Sequence, residues 1–406
     1  MKRYVADAAC DVAVIGLGFV GLPAAIMLAR AGRQVIGVDI DEGLIARLDA
    51  SMCPIEEDGV AEVFHDPATR AHFRTSRTVP VADAYIIAVP TPLHARKKVA
   101  HLEALEAATA SIVPSLRRGA LVIVESTIPP LCCDETIKPI LERSGLQVGV
   151  DLLLAHCPER LYPGNVAAEI VDNDRIIGGC NAAATERAKE LYATFVRGEL
   201  LGTDMLTAEF CKLMENTYRD VNIALANELA LVAERIGTSI DAAIELANRH
   251  PRVSLLRPGI GVGGHCIPID PWFIAEVAPE QTELIPAARR INDRMPSVIA
   301  GRIRRALAGV ADPVIGVYGV TYKPDVDDQR ESPAWEIVAQ LERDGYRLEV
   351  ADPIARVGTA RTLRALAAGK DALVVLVPHA GAREELREHR AEILRALRSP
   401  ILLSFG

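Results

Sequence analysis

The stretch "DVAVIGLGFVGLPAAIMLARAGRQVIGVDID" leaves a chain few ways to fold. "VAVIG" is a short β-forming run, and "GLGFVG" is G-x-G-x-x-G at Gly16, Gly18 and Gly21. "LPAAIMLARAG" is helical and stops at Gly32; "QVIGVD" is a second strand that ends on Asp39. The first glycine permits a tight turn, the second lets a pyrophosphate approach the backbone, and the third lets the helix lie close to the strand. The helix N-terminus then offers its positive end to the phosphates. The strand before, the helix after and the acid beyond together predict a dinucleotide site formed by Gly16, Gly18, Phe19, Val20, Gly21 and Asp39. Asp39 suits a ribose 2′-hydroxyl and repels a 2′-phosphate, which favours NAD over NADP. A mononucleotide-type βαβ unit with an incidental acid is the plainer alternative.

This stretch also explains away a membrane span. Val12–Ala29 holds 18 residues without a charge, near the length of a spanning helix. Its three glycines and Pro23 divide it into strand, turn and helix, so a soluble, cytoplasmic chain is expected. The formal net charge is −9, with the arginines spread along the sequence; a nucleic-acid surface needs a basic patch or stripe. The eight cysteines, at 10, 53, 132, 133, 157, 180, 211 and 266, match neither a zinc site nor a disulfide framework. They read as reduced and mostly buried thiols.

At 406 residues the chain is long enough for two or three domains. The strand–helix alternation continues through "AYIIAVPTP", "LEALEAATASIVPSL", "LVIVEST" and "DLLLAHCPER". Thr91, Thr127 and Glu159 each fall beyond the carboxyl end of a strand, where ligands bind in open α/β sheets. Leu206–Gly237 reads as one long helix with Thr207 as its N-cap and Gly237 as its stop. Leu206, Phe210, Leu213, Met214, Val221, Leu225 and Leu229 approximate an apolar face, and Lys212 and Asn216 share a face four residues apart. Taken alone, a Lys beside an Asn on a helix is a solvated face. From Pro313 a second α/β unit begins without a G-x-G-x-x-G; its polar loop Thr321–Pro333 carries Lys323 and Arg330. The predicted fold is therefore α/β, with an N-terminal Rossmann domain over residues 1–200, a central helical region over 201–300 suited to dimerisation, and a C-terminal Rossmann-like domain over 301–406.

Six motifs in order resemble the UDP-glucose/GDP-mannose dehydrogenase family: "GLGFVGLP", "STIPP", "CPERLYPGN", "EFCKLMENTYRDVNIALANE", "GVGGHCIPIDP" and "YKPDVDDQRESPA". The resemblance runs essentially the whole chain. It implies an NAD-binding domain, a central dimerisation region, a UDP-binding domain, and oxidation of the C6 alcohol of a UDP-sugar to a carboxylate. "CPERLYPGN" followed by "NDRIIGG", with "GHCIPIDPWF", resembles the subgroup acting on UDP-N-acetyl-D-mannosamine; UDP-N-acetylglucosamine and UDP-glucose are the alternatives. Arg160 stands where the UDP-glucose enzymes usually show Phe, and Ile260 stands where Pro or Phe is common.

The same resemblance implies the roles of single residues. An alcohol-to-acid oxidation removes four electrons in two steps. A thiolate at Cys266 would trap the aldehyde as a thiohemiacetal, which becomes a thioester on the second oxidation and is hydrolysed by water. Lys212 and Asn216 would stabilise the oxyanion. Asp270 would help activate the hydrolytic water or relay a proton, Glu159 would act on that water, and Thr127 would orient water or the nicotinamide. Thr91 would line the cofactor. Gly261 and Gly263, within the run Gly259–Gly264, would hold the UDP-sugar together with Arg160, Lys323 and Arg330. Arg252 would reach the substrate of a partner subunit, and His265 would be a neighbour of the site. A two-electron 3-hydroxyacid-type dehydrogenase and a binding protein without catalysis are the rival readings; neither needs this cysteine.

Overall fold

The computed structural model describes residues 8–55, 57–94, 96–161 and 164–405. Tyr162 and Pro163 of "CPERLYPGN" lie outside them. The chain divides into two compact units: one runs to Glu215 and includes Glu276–Ala278, and the other holds Asn216–Ala275 and the chain from Pro279.

The first unit is built on an eight-stranded sheet: β1 (Cys10–Ile15), β2 (Val35–Val38), β3 (Phe73–Ser76), β4 (Ala82–Ile87), β5 (Leu121–Val124), β6 (Leu153–His156), β7 (Arg175–Gly179) and β8 (Leu200–Asp204). Its spatial order is β3-β2-β1-β4-β5-β6-β7-β8. The first six strands are parallel, in the doubly wound order of dinucleotide-binding domains. The residues of β1, β2, β4 and β5 are mostly apolar without alternation because both faces are covered. Val12 and Val14 enter one core cluster, and Ala13 and Ile15 enter the other. The period-2 pleat sends neighbours to opposite faces.

The edge departs from the sequence expectation of simple alternation. β7 runs antiparallel to β6, with Ala155 opposite Gly179 and His156 opposite Gly178, and β8 is parallel to β7. Strand direction leaves no mark in a short apolar run, so "NDRIIGG" did not announce it. "LVIVEST" also ends its strand earlier than expected, at Val124. Glu125 and Ser126 follow with their amides still bonded to the Ile87 carbonyl.

One helix, Met205–Ile236, covers the predicted long segment. Its N-cap is Asp204 rather than Thr207: the Thr207 amide and hydroxyl both donate to the Asp204 carboxylate, at 2.8 and 2.7 Å. Gly237 ends it with φ +75°. The apolar face read from the sequence also turns out differently. Leu206, Phe210, Met214 and Leu225 are exposed, with Tyr218, Val232 and Ile236 beside them, whereas Leu213 is buried and Val221 and Leu229 are partly buried; the buried face mixes alanines with polar groups, among them Lys212, Asp220 and Asn227.

The second unit carries a four-stranded parallel sheet in the order β10-β9-β11-β12, from β9 (Val314–Tyr318), β10 (Arg347–Ala351), β11 (Ala372–Val375) and β12 (Ile401–Ser404). In the same unit a buried polar network links two helices to a loop. The Arg289 guanidinium and the Asn292 amide both reach Asp220; Asn227 donates to Asn292 at 2.9 Å and accepts from the Gly259 amide at 2.8 Å. The glycine-rich segment is thereby pinned at its start. Among the described residues no helix is long and apolar enough to cross a membrane.

Candidate active site

The turn after β1 is shaped for a dinucleotide. Gly16 has φ +92°, and a Cβ there would lie 2.7 Å from the Ala88 carbonyl oxygen. A Cβ on Gly21 would lie 1.9 Å from the Gly16 carbonyl oxygen, so the helix Gly21–Arg30 can start only on glycine. Gly18 faces open space, the condition for close approach of a pyrophosphate. Val20 is the N-cap and has no side-chain cap; the Leu22 amide bonds the Gly18 carbonyl and Pro23 carries no N–H, so the Gly21 amide is the first-turn donor open to a ligand. Phe19 packs on the core from its partly buried position.

Asp39 is tied into this turn. Its carboxylate accepts the Leu17 amide at 2.8 Å and the Asp41 amide at 2.9 Å. The acid at the end of β2 is therefore fixed against the glycine loop, half-exposed, where a ribose hydroxyl can reach it. The residues present fit NAD. Beyond β4, the Thr91 hydroxyl is buried with no hydrogen-bond partner among the described residues. Thr127, beyond β5, is partly exposed.

Lys212 is 8% exposed and makes no hydrogen bond or ion pair within the described residues. A buried ammonium without a counter-ion is poised for an anion. One turn along the helix, Asn216 donates to Asp270 at 2.6 Å, and Asp270 is buried at the start of the helix Asp270–Val277.

In the second unit two motifs far apart in sequence meet. A Cβ on Gly263 would lie 2.5 Å from the Glu331 carbonyl oxygen; one on Gly261 would lie 3.1 Å from Pro333, and one on Gly264 3.1 Å from the Tyr322 ring. The Gly264 amide donates to the Arg330 carbonyl at 3.3 Å. The glycine run thus lies flat on the loop that carries Lys323 and Arg330, and only glycine fits there. Cys266 follows at once. It is the exposed thiol of the eight, and none of them forms a disulfide. Arg330 and Cys266 interact electrostatically.

Two features of this loop went unread in the sequence. Asp328 takes the Arg330 guanidinium at 2.7 to 3.0 Å, so part of that charge is already committed. His265 Nδ1 stands 3.9 Å from the same carboxylate. Arg252 is exposed and contacts His250 of its own turn, pointing into no site of this chain that the described contacts define. Arg160 in the first unit pairs with Glu215 at 2.9 Å and also donates to the Asp174 carbonyl.

Glu159 is the site residue whose surroundings the sequence showed least. It pairs with Arg175 at 2.9 Å and accepts the Arg160 amide at 2.6 Å. Behind it lie Glu125 and Tyr192, bonded to each other at 2.6 Å. Burial pushes the Glu125 carboxyl up to about 7, against the opposing pull of Arg175. Burial also raises the thiols of Cys10, Cys132 and Cys157 to about 12, which marks them as inert.

The NAD binding domain of the UDP-glucose/GDP-mannose dehydrogenase family matches residues 10–196, its central domain residues 206–294, and its UDP binding domain residues 316–402. The chain belongs to this family. It is an NAD-dependent UDP-sugar dehydrogenase. The chain is 42% identical to the UDP-N-acetyl-D-mannosamine dehydrogenase of Methanococcus aeolicus over 398 residues, covering 97% of this chain and 90% of that one. It is 44% identical to the NDP-N-acetyl-D-galactosaminuronic acid dehydrogenase of Ralstonia solanacearum over 337 residues, covering 81% of this chain and 79% of that one. Among solved structures, UDP-D-ManNAc dehydrogenase from Pyrococcus horikoshii superposes with a TM-score of 0.91 at 40% identity, over 97% of this chain and 95% of that one.

Proposed function

We propose that this dehydrogenase oxidises the C6 hydroxyl of UDP-N-acetyl-D-mannosamine to the carboxylate, with Cys266 as covalent nucleophile. The observation that carries the covalent step is the exposed Cys266 thiol on a glycine run that lies against the Lys323–Arg330 loop. The choice of sugar is supported by the M. aeolicus and P. horikoshii relatives, which bear that substrate in their names.

NAD, when bound, accepts the hydride in each of the two oxidations. The first removes a hydride from C6 and a proton from O6. The Cys266 thiolate then adds to the aldehyde carbon and forms a C–S bond. Loss of the second hydride converts the thiohemiacetal to a thioester. Water attacks that carbon, Glu159 takes its proton, the C–S bond breaks and the thiolate leaves. Four electrons depart as two hydrides, and the oxygen gained comes from water. Lys212 and Asn216 stabilise the oxyanion before each collapse, as their placement on one helix face allows. Asp270, held by Asn216, relays protons. Thr127 orients the water, and Thr91 lines the cofactor. Gly261, Gly263, Lys323, Arg330 and Arg160 grip the UDP-sugar. A reducing cytoplasm suits a thiol that must stay reduced to act.

Residues 1–200, 201–300 and 301–406 serve as NAD-binding, dimerisation and UDP-binding regions in this reading. Dimerisation is supported by the exposed stripe Leu206, Phe210, Met214, Tyr218, Leu225, Val232 and Ile236 on one side of the long helix. Arg252, exposed, is the residue offered to the partner's substrate.

The test is NADH release over a panel of UDP- and GDP-sugars. Two NADH per sugar with the highest kcat/KM on UDP-N-acetyl-D-mannosamine supports the reading. One NADH per sugar overturns the covalent route, and a higher kcat/KM on UDP-glucose or UDP-N-acetylglucosamine overturns the sugar.

A further inference from the structure

Arg175 is 4% exposed and stands between two carboxylates: Nη2 is 2.9 Å from Glu159 and Nη1 is 3.5 Å from Glu125. Its guanidinium carbon lies over the Tyr192 ring at 4.9 Å and the Phe195 ring at 5.7 Å. The Tyr192 hydroxyl donates to Glu125 at 2.6 Å. Glu125 is 1% exposed, and its second oxygen has no hydrogen-bond partner among the described atoms. Glu159 closes the row nearest to solvent, with 10% of its side chain exposed.

We propose that Arg175 is the positioning residue for Glu159, locking its carboxylate where it takes a proton from the hydrolytic water, with Glu125 and Tyr192 as the backstop that locks the guanidinium. The inference rests on the role given above to Glu159.

The strand reversal delivers the arginine to this place. Arg175 is the first residue of β7. In a parallel strand the first residue would lie at the amino end of the sheet. Because β7 is antiparallel, with Gly179 opposite Ala155, its start lies past the carboxyl end of β6, beside Glu159. Strand carboxyl ends are where open α/β sheets hold their ligands.

The energetics also point to position rather than stability. Buried ion pairs pay a desolvation cost that their attraction often fails to return, and apolar residues of the same volume would fill the space without it. Nη2 faces Glu159 as a close ion pair without hydrogen-bond geometry and Nη1 faces Glu125, so the planar guanidinium spans two carboxylates at once, which a compact ammonium does not. Two aromatic faces remove its remaining freedom. Burial raises the Glu125 carboxyl and so favours its protonated form, while Arg175 pulls the other way.

The test uses the full chain in two variants. Removing Arg175 alone would strand two buried carboxylates, so Arg175→Met is combined with Glu125→Gln; Arg175→Lys is the second variant, which keeps the charge and loses the fork. Both are first checked for folding by thermal melting and for NAD affinity by titration. Each is then mixed with NAD and UDP-N-acetyl-D-mannosamine, with NADH followed in the first turnover and intact mass measured on quenched samples. The expected result is a first-turnover burst close to that of the wild type, steady-state turnover lowered about tenfold to a hundredfold as for a misplaced general base, and an acyl group accumulating on the enzyme. A purely structural role would slow burst and steady state together, and that outcome overturns the proposal. So does a folded Arg175→Lys enzyme that turns over at the wild-type rate with no acyl adduct. Glu159→Gln runs beside them. If it accumulates the acyl group and the Arg175 variants do not, the inference alone fails. If Glu159→Gln turns over without the adduct, the reading of Glu159 falls and the inference with it.

Discussion

The two sheets begin in the same way and end in different chemistry. After β1 comes Gly16 with φ +92°, and after β9 comes Gly319 with φ +83°. The next amide, from Leu17 or Val320, donates to an acid just past the second strand, Asp39 or Asp352, at 2.8 Å in both. Each acid also caps the amide two residues on, at Asp41 and at Ile354. From there they diverge. The first turn goes straight into the helix Gly21–Arg30, whereas the second detours through a polar loop to the helix Pro333–Arg343, capped by Ser332. Asp39 stays half-exposed, while Asp352 is 0% exposed and takes His379 on its free side at 3.0 Å. One brace therefore keeps a side open to a ligand, and the other is closed by a histidine.

The widest gap between the sheets should open on Cys266→Ser. On the reading of Cys266 as nucleophile, turnover should fall about a hundredfold or more, because a hydroxyl is a far weaker nucleophile than a thiolate. NAD affinity, which belongs to the first sheet, should stay within error in a titration. A Ser variant that still releases two NADH per sugar at the wild-type rate would falsify the role of the thiol.

The two braces are then compared by substitution. Asp352→Ala strands the Val320, Ile354 and Ala355 amides and the buried His379. It should cost roughly 3 kcal/mol in a denaturant melt, since buried donors without acceptors are penalised individually. Asp39→Ala should cost much less stability but weaken NAD about tenfold, the size of a hydrogen bond to a charged group, and narrow the preference over NADP. If the Asp39 variant proved the less stable of the two, the contrast would be wrong.

A smaller effect sharpens the comparison through pH. Burial raises Glu125 in the first sheet from 4.5 to about 7, so the fold favours its protonated form. Its contribution is complete below about pH 4.5 and is lost as pH rises through 7. In the second sheet burial works against the Asp352 charge, but bonds from His379, Ala355 and Val320 prevail and hold it below the usual carboxylate range. That contribution is present above the usual range and is lost as acid is added. Melting temperatures between pH 3 and 8 should therefore show Glu125→Gln gaining on the wild type as pH rises from 5 to 8, and Asp352→Asn gaining on it as pH falls below 4. Parallel curves for either variant would contradict the assignment.

Much of the fold was legible because parallel strands buried on both faces leave apolar runs, and glycines mark the turns between them. "GLGFVG" with Asp39 stated its geometry outright. What the sequence hid depends on distant partners. Nothing local in "NDRIIGG" says that β7 runs backwards, although an arginine heading an apolar strand hints at a buried counter-ion. Glu125 inside "LVIVEST" gave a similar hint. The stripe on the long helix was visible as periodicity, but periodicity does not tell a core face from an outward one. Asp204 capped where Thr207 was expected because the helix begins earlier than its apolar pattern. The meeting of Gly261, Gly263 and Gly264 with the Tyr322–Pro333 loop is a contact between segments far apart in the chain, and only the folded backbone reveals it.

The uneven placement of the cysteines has a practical side. Cys10, Cys132, Cys133 and Cys157 are buried, Cys53, Cys180 and Cys211 are partly shielded, and Cys266 is exposed. Electrophiles and peroxide attack thiolates that they can reach. A limiting dose of an alkylating reagent should therefore mark Cys266 first, and on the reading of Cys266 as nucleophile enzyme loss should track a single adduct per chain. The same exposure makes Cys266 the point at which oxidative stress would halt turnover, first reversibly as a sulfenic acid and then for good as the ladder climbs.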